Sequence, residues 1–389
     1  MIIGDVMQIY IESIISAILI FPFIALLFTM PYVLYQYHKY GAIPSIRVMI
    51  VYSFILYMTC SYFLVILPLP KIEEVALLST PRYQLMPFQF VCDILATTNI
   101  SLTDVKTYRY IFKEPFVYQS LYNILLTIPF GVYLRYYFKC NFKKTFFYSF
   151  LLSLFFELTQ LSGLYGIYPR GYRLFDVDDL LLNTFGGMLG YILAGFLTFL
   201  PARDKIDEIS YKRGREVSGF RRIVTFILDF AIFFIFGVCF TYLGNKIYPI
   251  STYFYFIISI FIYYTLIPYL LNGQTLIKLF LNSKVERIDG KKVSFYQLFI
   301  RTFFLFLILL AIPFYVMILF WILIDVFPQK DSYRYFLLGG FCFTELFILL
   351  YYFYCIVSIF KRKALLHEKV SKTRIISTIF WKEEKEELE

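Results

Sequence analysis

Apolar runs of roughly twenty residues recur from one end of the chain to the other, separated by short polar segments. Coiled as α-helix at about 1.5 Å per residue, each run matches the ~30 Å hydrocarbon core of a bilayer. Nine such runs are read, near residues 10–35, 48–69, 117–138, 145–164, 180–200, 223–245, 251–271, 303–326 and 335–360. The polar breaks between them alternate in basic content. The basic ones are His38–Arg47, Arg135–Lys144, Arg203–Arg222 with seven Lys and Arg, Lys278–Arg301, and the tail from Lys361. If every run crosses, these all fall on one side, which the positive-inside bias makes cytoplasmic. The N-terminus is then outside and the C-terminus inside. The first run has Asp5 and Glu12 but no preceding basic residue, so it reads as a retained span and not as a signal peptide.

Composition sharpens this pattern. Of 389 residues, 60% are apolar and 16% charged, whereas globular domains run to about half and about a quarter. The fold class expected is all-α, a polytopic helical membrane protein with about nine transmembrane helices. The formal charge of +10 sits in short loops and not on a soluble basic module, so it orients the chain in a membrane and does not point to nucleic acid. The partner expected from composition is the lipid bilayer; oligomeric state is not readable. Six cysteines lack disulfide or zinc spacing, and no Gly-rich phosphate loop is present. His38 and His367, each flanked by basic residues, read as solvated juxtamembrane side chains, so no metal and no cofactor is expected.

The longest polar run before the tail divides the chain. Residues 1–201 hold five spans, 202–219 form a basic cytoplasmic linker, 220–378 hold four spans, and 379–389 form a charged cytoplasmic tail. Within the second half, KVERIDGKKVSF places Asp289-Gly290 between β-compatible residues, which predicts a tight hairpin turn.

Polar groups inside spans are expensive, so each marks a candidate site. In the first half, Glu157 lies thirteen residues beyond Lys144, roughly 20 Å along a helix and toward the outer leaflet. Gln160 follows on the same face. Arg170 and Arg173 precede RLFDVDDLLLNTFGGMLGY, where Asp176, Asp179 and Asn183 recur at helical spacing. Gly186 and Gly190 then form a small-xxx-small stripe, which lets another helix approach closely. Asn123 stands at the outer end of the preceding span, and Pro129-Phe130-Gly131 marks an expected kink. The long outer loop adds Gln84 and Pro87-Phe88. These residues read either as an outward polar site for an envelope molecule or as an Arg173–Asp clasp joining helices and loop.

YNILLTIPFG, the Glu157-x-x-Gln160 pair and RLFDVDDLLLNTFGGMLGY together resemble the VanZ-like family over roughly residues 45–200. Gln84 stands where that family usually shows Asn. The resemblance implies a Gram-positive envelope protein linked to resistance to teicoplanin-type glycopeptides, with a glycopeptide or a lipid-linked cell-wall precursor as the implied partner.

In the second half, Arg222 and Asp229 are seven residues apart in FRRIVTFILDFAIFF, about two turns on one face. Snorkelling would bring Arg222 partway toward Asp229, and a partner from another helix is the alternative. The pair reads as a proton or cation relay or as a register-fixing contact. Arg222-x6-Asp229, NGQTLIKLFLNSKV with Lys278, and LLHEKVSKTRII resemble the RDD family over about residues 218–378. Glu368 occupies the position of the family's second Asp, Ile277 that of a usual Gly, and this half has one span more than the commonest layout. The resemblance implies a transport role, including cation/proton exchange.

Three functions compete. The preferred one is a non-enzymatic envelope protein that lowers glycopeptide susceptibility through the outward polar cluster. The second is an ion- or proton-coupled transporter built on Asp229. The third is an intramembrane enzyme acting on a lipid-linked substrate, with Glu157, Asp176 or Asp179 as acid or base.

Overall fold

Helices underlie all nine apolar segments, since backbone N–H and C=O groups in hydrocarbon can be satisfied only by one another. The computed structural model describes residues 2–97, 115–197, 201, 203–326 and 331–379; most of the charged tail, residues 380–389, lies outside them. Among the described residues, six helical stretches are long and apolar enough to cross a membrane: Ile11–Tyr40, Ser45–Ile66, Gly219–Ile247, Thr252–Leu270, Phe295–Leu323 and Tyr335–Phe360. Nine were expected. The other three segments are the ones diluted by Asn123, Glu157, Gln160, Asp179 and Asn183.

The chain forms two compact units, Met1–Met30 with Ser45–Ile206, and Pro31–Pro44 with Asp207–Glu389. Helix α1 (Ile2–Tyr40) contributes to both. The first unit continues with α2 (Ser45–Ile66), α3 (Ile72–Ala76), β1 (Tyr83–Gln84), α4 (Gln89–Thr97), α5 (Pro115–Tyr136), α6 (Phe142–Leu161), the turn α7 (Gly163–Gly166), β2 (Phe175–Asp176) and α8 (Val177–Ala194). The expected linker contains a helix, α9 (Arg203–Gly214).

The small-residue stripe determines how α8 packs in the first unit. A Cβ on Gly186 would lie 2.2 Å from Ile124 O, and one on Gly190 would lie 2.0 Å from Ile128 O, both on the backbone of α5. From the other side, a Cβ on Gly131 would lie 1.8 Å from Gly187 O. The two helices therefore meet backbone to backbone. Pro129, the expected kink position, lies inside the continuous helix α5.

The second unit holds α10 (Gly219–Ile247), α11 (Thr252–Phe261), α12 (Ile267–Leu270), α13 (Leu276–Phe280), β3 (Ser283–Arg287), α14 (Phe295–Phe306), α15 (Ile312–Val326), α16 (Asp331–Phe360), α17 (Leu366–Ser371) and β4 (Thr373–Ser377). One π-helical turn, Ile262–Leu266, joins α11 to α12, and another, Leu307–Ala311, joins α14 to α15. The Asp289-Gly290 turn forms, with Gly290 at φ +78° and its N–H on Arg287 O at 3.1 Å. Arg287 N also donates across it to Lys291 O at 3.3 Å, but among the described residues no strand follows the turn to complete a hairpin. β3 pairs antiparallel with β4, Val285 opposite Ile375, so its partner comes from beyond α16.

Candidate functional site

In the first unit the polar residues converge on the N-terminus of α8. Asp176 is the N-cap of that helix and accepts from Asp178 N at 2.8 Å. It is thus not on one helical face with Asp179 and Asn183, as the spacing had suggested. Asp178 was missed, because the periodic reading selected its neighbours. It is buried and accepts Phe88 N at 2.5 Å and Phe90 N at 2.9 Å, which ties the outer loop to α8. The available signal was three acids in four positions at a helix start, where carboxylates satisfy free N–H donors. Beside it, β1 and β2 pair in parallel with Gln84 opposite Asp176, and the Gln84 amide turns back onto Met86.

Glu157, 2% exposed, accepts Asp176 N at 3.0 Å through Oε2. Asn123 donates to Asp179 Oδ1. Asn183 donates to Ser153 Oγ at 3.1 Å, and Ser153 in turn donates to Asp179 O at 3.2 Å. These contacts join α5, α6 and α8 around two carboxylates.

Arg173 and Gln160 go elsewhere. Arg173 donates to Val65 O at 2.8 Å and Leu67 O at 2.7 Å, and Gln160 donates to Val65 O at 2.9 Å. Both satisfy carbonyls left free where α2 ends. The Arg173–Asp clasp, the alternative to an outward polar site, is therefore not seen: among the described residues Arg173 forms no ion pair, and its Nη1 and Nη2 go to the α2 carbonyls instead.

In the second unit two ion-paired clusters form. Asp229 accepts from Thr275 Oγ1 at 2.7 Å, Tyr263 OH at 3.1 Å and Lys278 Nζ at 3.2 Å. Glu368 accepts through Oε1 from Arg222 at 2.5 Å and Arg301 at 3.2 Å, and through Oε2 from Leu365 N at 3.0 Å. Arg222 thus pairs with Glu368 and not with Asp229. Two helical turns, about 10 Å, separate Arg222 from Asp229, whereas α17 brings a carboxylate to its tip.

Burial alone would raise the Glu368 carboxyl, but Arg301 and Arg222 outweigh it and hold it down at about 2. His367, expected to be solvated, is buried. Burial, with Arg301 beside it, pushes its imidazole down to about 3, so it is neutral at pH 7. Arg301, Thr275 and Tyr263 were not singled out from sequence; an Arg inside the run FIRTFFLF was the available signal for the first. Arg221, next to Arg222, is fully buried. It donates to Leu281 O, Asn282 O, Gly41 O, Gly214 O and Ser377 Oγ, so it knits the unit together and takes no part in the ion pairs.

Long apolar helices with buried polar clusters define an all-α polytopic membrane protein in two helical units. Residues 54–199 match the VanZ/LLP1 family model and residues 217–372 match the RDD family model, so the chain joins a VanZ-like region to an RDD-family region. Neither the curated proteins nor the solved structures contain a match.

Proposed function

We propose that this chain is a cell-membrane protein of the Gram-positive envelope that lowers susceptibility to teicoplanin-type glycopeptides, through the carboxylate site of its VanZ-like unit facing outward. The observation that carries the reading is Glu157. It is a buried carboxylate that, among the described residues, accepts one hydrogen bond and uses one of its two oxygens. Asp179 likewise uses only Oδ1 of its carboxylate, on Asn123. A buried carboxylate with unused acceptor capacity is costly unless a ligand or proton completes it. Asp178, by contrast, uses both oxygens to hold the loop, and Asp176 caps α8. The site then takes a donor-rich group of a glycopeptide or of a lipid-linked cell-wall precursor, and no chemical step is required.

The test is teicoplanin and vancomycin susceptibility of a sensitive Gram-positive host expressing wild type, Glu157→Gln or Asp179→Asn at matched membrane abundance. Wild type should raise teicoplanin tolerance and both variants should lose it. Unchanged susceptibility with wild type ends this reading.

A second reading, ion- or proton-coupled transport by the RDD-family unit, is favoured by the position of Asp229 on a cavity wall. Its test is cation-dependent proton flux in proteoliposomes, which Asp229→Asn should abolish.

A further inference from the structure

The second unit encloses a cavity of about 400 Å³, within the roughly 300–1,000 Å³ typical of small-ligand pockets. Its lining is chemically graded. Arg222 comes from the first turn of α10 and Arg301 from the second turn of α14, and Lys278 and His367 come from the short segments beside them. Further along, Leu305, Leu309, Tyr352 and Ile356 make an apolar wall from α14, its π turn and α16. Both π-helical turns border the space, through Tyr264 and through Ile308 and Leu309. π turns often mark functional sites.

The polar end is not electrically balanced. Three cations, Arg222, Arg301 and Lys278, face two carboxylates, Asp229 and Glu368. His367 is neutral at pH 7. One positive charge is left over in a mostly apolar surrounding, where an uncompensated charge is costly. Arg222 uses only Nη2 on Glu368, so Nε and Nη1 have no protein partner among the described residues. Two residues on the wall, Tyr264 (8% exposed) and Ser283 (1%), carry buried hydroxyls with no hydrogen-bond partner among the described residues. Buried polar atoms are nearly always satisfied, so two such hydroxyls on residues lining the same cavity as an unbalanced cation point to an absent acceptor.

The mouth indicates where the ligand comes from. Phe226 and Ile356 line the cavity and are 40% and 47% exposed, on helices long enough to cross a membrane. A rim of this kind meets acyl chains and not water.

We propose that this cavity holds a membrane amphiphile with one negative charge on its head group. The phosphate or carboxylate sits at Arg222, Arg301 and Lys278 and accepts from the Tyr264 and Ser283 hydroxyls. One hydrocarbon chain lies along α14 and α16. Guanidinium groups suit either oxyanion, since their N–H donors form a planar fork. The site is separate from the carboxylate site of the first unit and does not depend on its function.

The experiment is native mass spectrometry of the purified full-length protein, titrated with phosphatidylglycerol, palmitate, chain-matched phosphatidylcholine and glycerol 1-phosphate. One phosphatidylglycerol or palmitate per chain should bind, about tenfold tighter than phosphatidylcholine; which of the two binds tighter identifies the head group. Ile356→Trp, on the exposed rim, should weaken that binding about tenfold by closing the mouth. Arg222→Gln should bring the preference over phosphatidylcholine to about one, since it removes the surplus charge. Tyr264→Phe, which deletes one orphan hydroxyl and little volume, should weaken binding severalfold even if Arg222→Gln folds poorly. Equal affinity for phosphatidylglycerol, palmitate and phosphatidylcholine in wild type overturns the proposal. So does glycerol 1-phosphate binding as tightly as the lipid, or an Ile356→Trp variant that binds like wild type.

Discussion

Lys278 donates to Asp229 at 3.2 Å across 49 positions of sequence, and both side chains are largely withdrawn from solvent. Removing either partner strands the other charge. Asp229→Asn or Lys278→Met alone should cost about 3 kcal/mol, and the double variant should recover much of it, because a buried pair is more harmful broken than absent. Thermal unfolding in detergent across the four-member cycle gives the coupling. Additive losses would mean that the two charges act independently.

Stability should fall on acidification for two separable reasons. Glu368 is held at about 2, below its ordinary 4.5, so its contribution is complete above pH 4.5 and is lost as pH falls toward 2. His367 is held at about 3, below its ordinary 6.5, so the unfolded chain takes up the proton first and stability declines from pH 6.5 toward 3. Melting temperature measured between pH 7.5 and 4 should therefore drop steadily. His367→Phe should flatten the upper part of that slope and leave the part below pH 4.5.

Gly190→Ala should be far worse than its helix propensity suggests. Its Cβ would lie 2.0 Å from Ile128 O, a backbone atom that cannot rotate away, so α5 and α8 must separate at a cost of about 3 kcal/mol. Gly339→Ala is the control, since nothing lies within 4 Å of the added Cβ. It should be neutral or stabilise by up to ~1 kcal/mol. Paired melts decide the matter, and equal losses would remove the close approach as the cause.

Reporter fusions at Lys205 and Lys284 should both give cytoplasmic signals if the basic segments share one side. An external signal at either site would require a different number of crossings from the nine read along the chain.

Much of the framework was legible because it depends on local chemistry. Apolar length marks helices, small residues four apart mark a close crossing, and Asp289-Gly290 marks a turn. Glu157, Asp179 and Asp229 stood out because a carboxylate within an apolar run is costly wherever its partner lies. What periodicity could not supply was the partners. β3 looked like half of a hairpin, yet it pairs with β4 because the chain returns there after α16. Arg173 looked like an acid's counterion, yet the open carbonyls at the end of α2 claim it.

Arg221 and Arg222 show the division most clearly. They are identical in type and adjacent in sequence, and successive helix positions point about 100° apart. That rotation, read against the segments that fold around α10, sends Arg221 into five backbone and hydroxyl acceptors and Arg222 onto Glu368 at the cavity. Sequence alone determined that two cations stand where α10 begins. Only the tertiary structure decided which one serves the fold and which one the site, because the acceptors are supplied by residues up to 180 positions away.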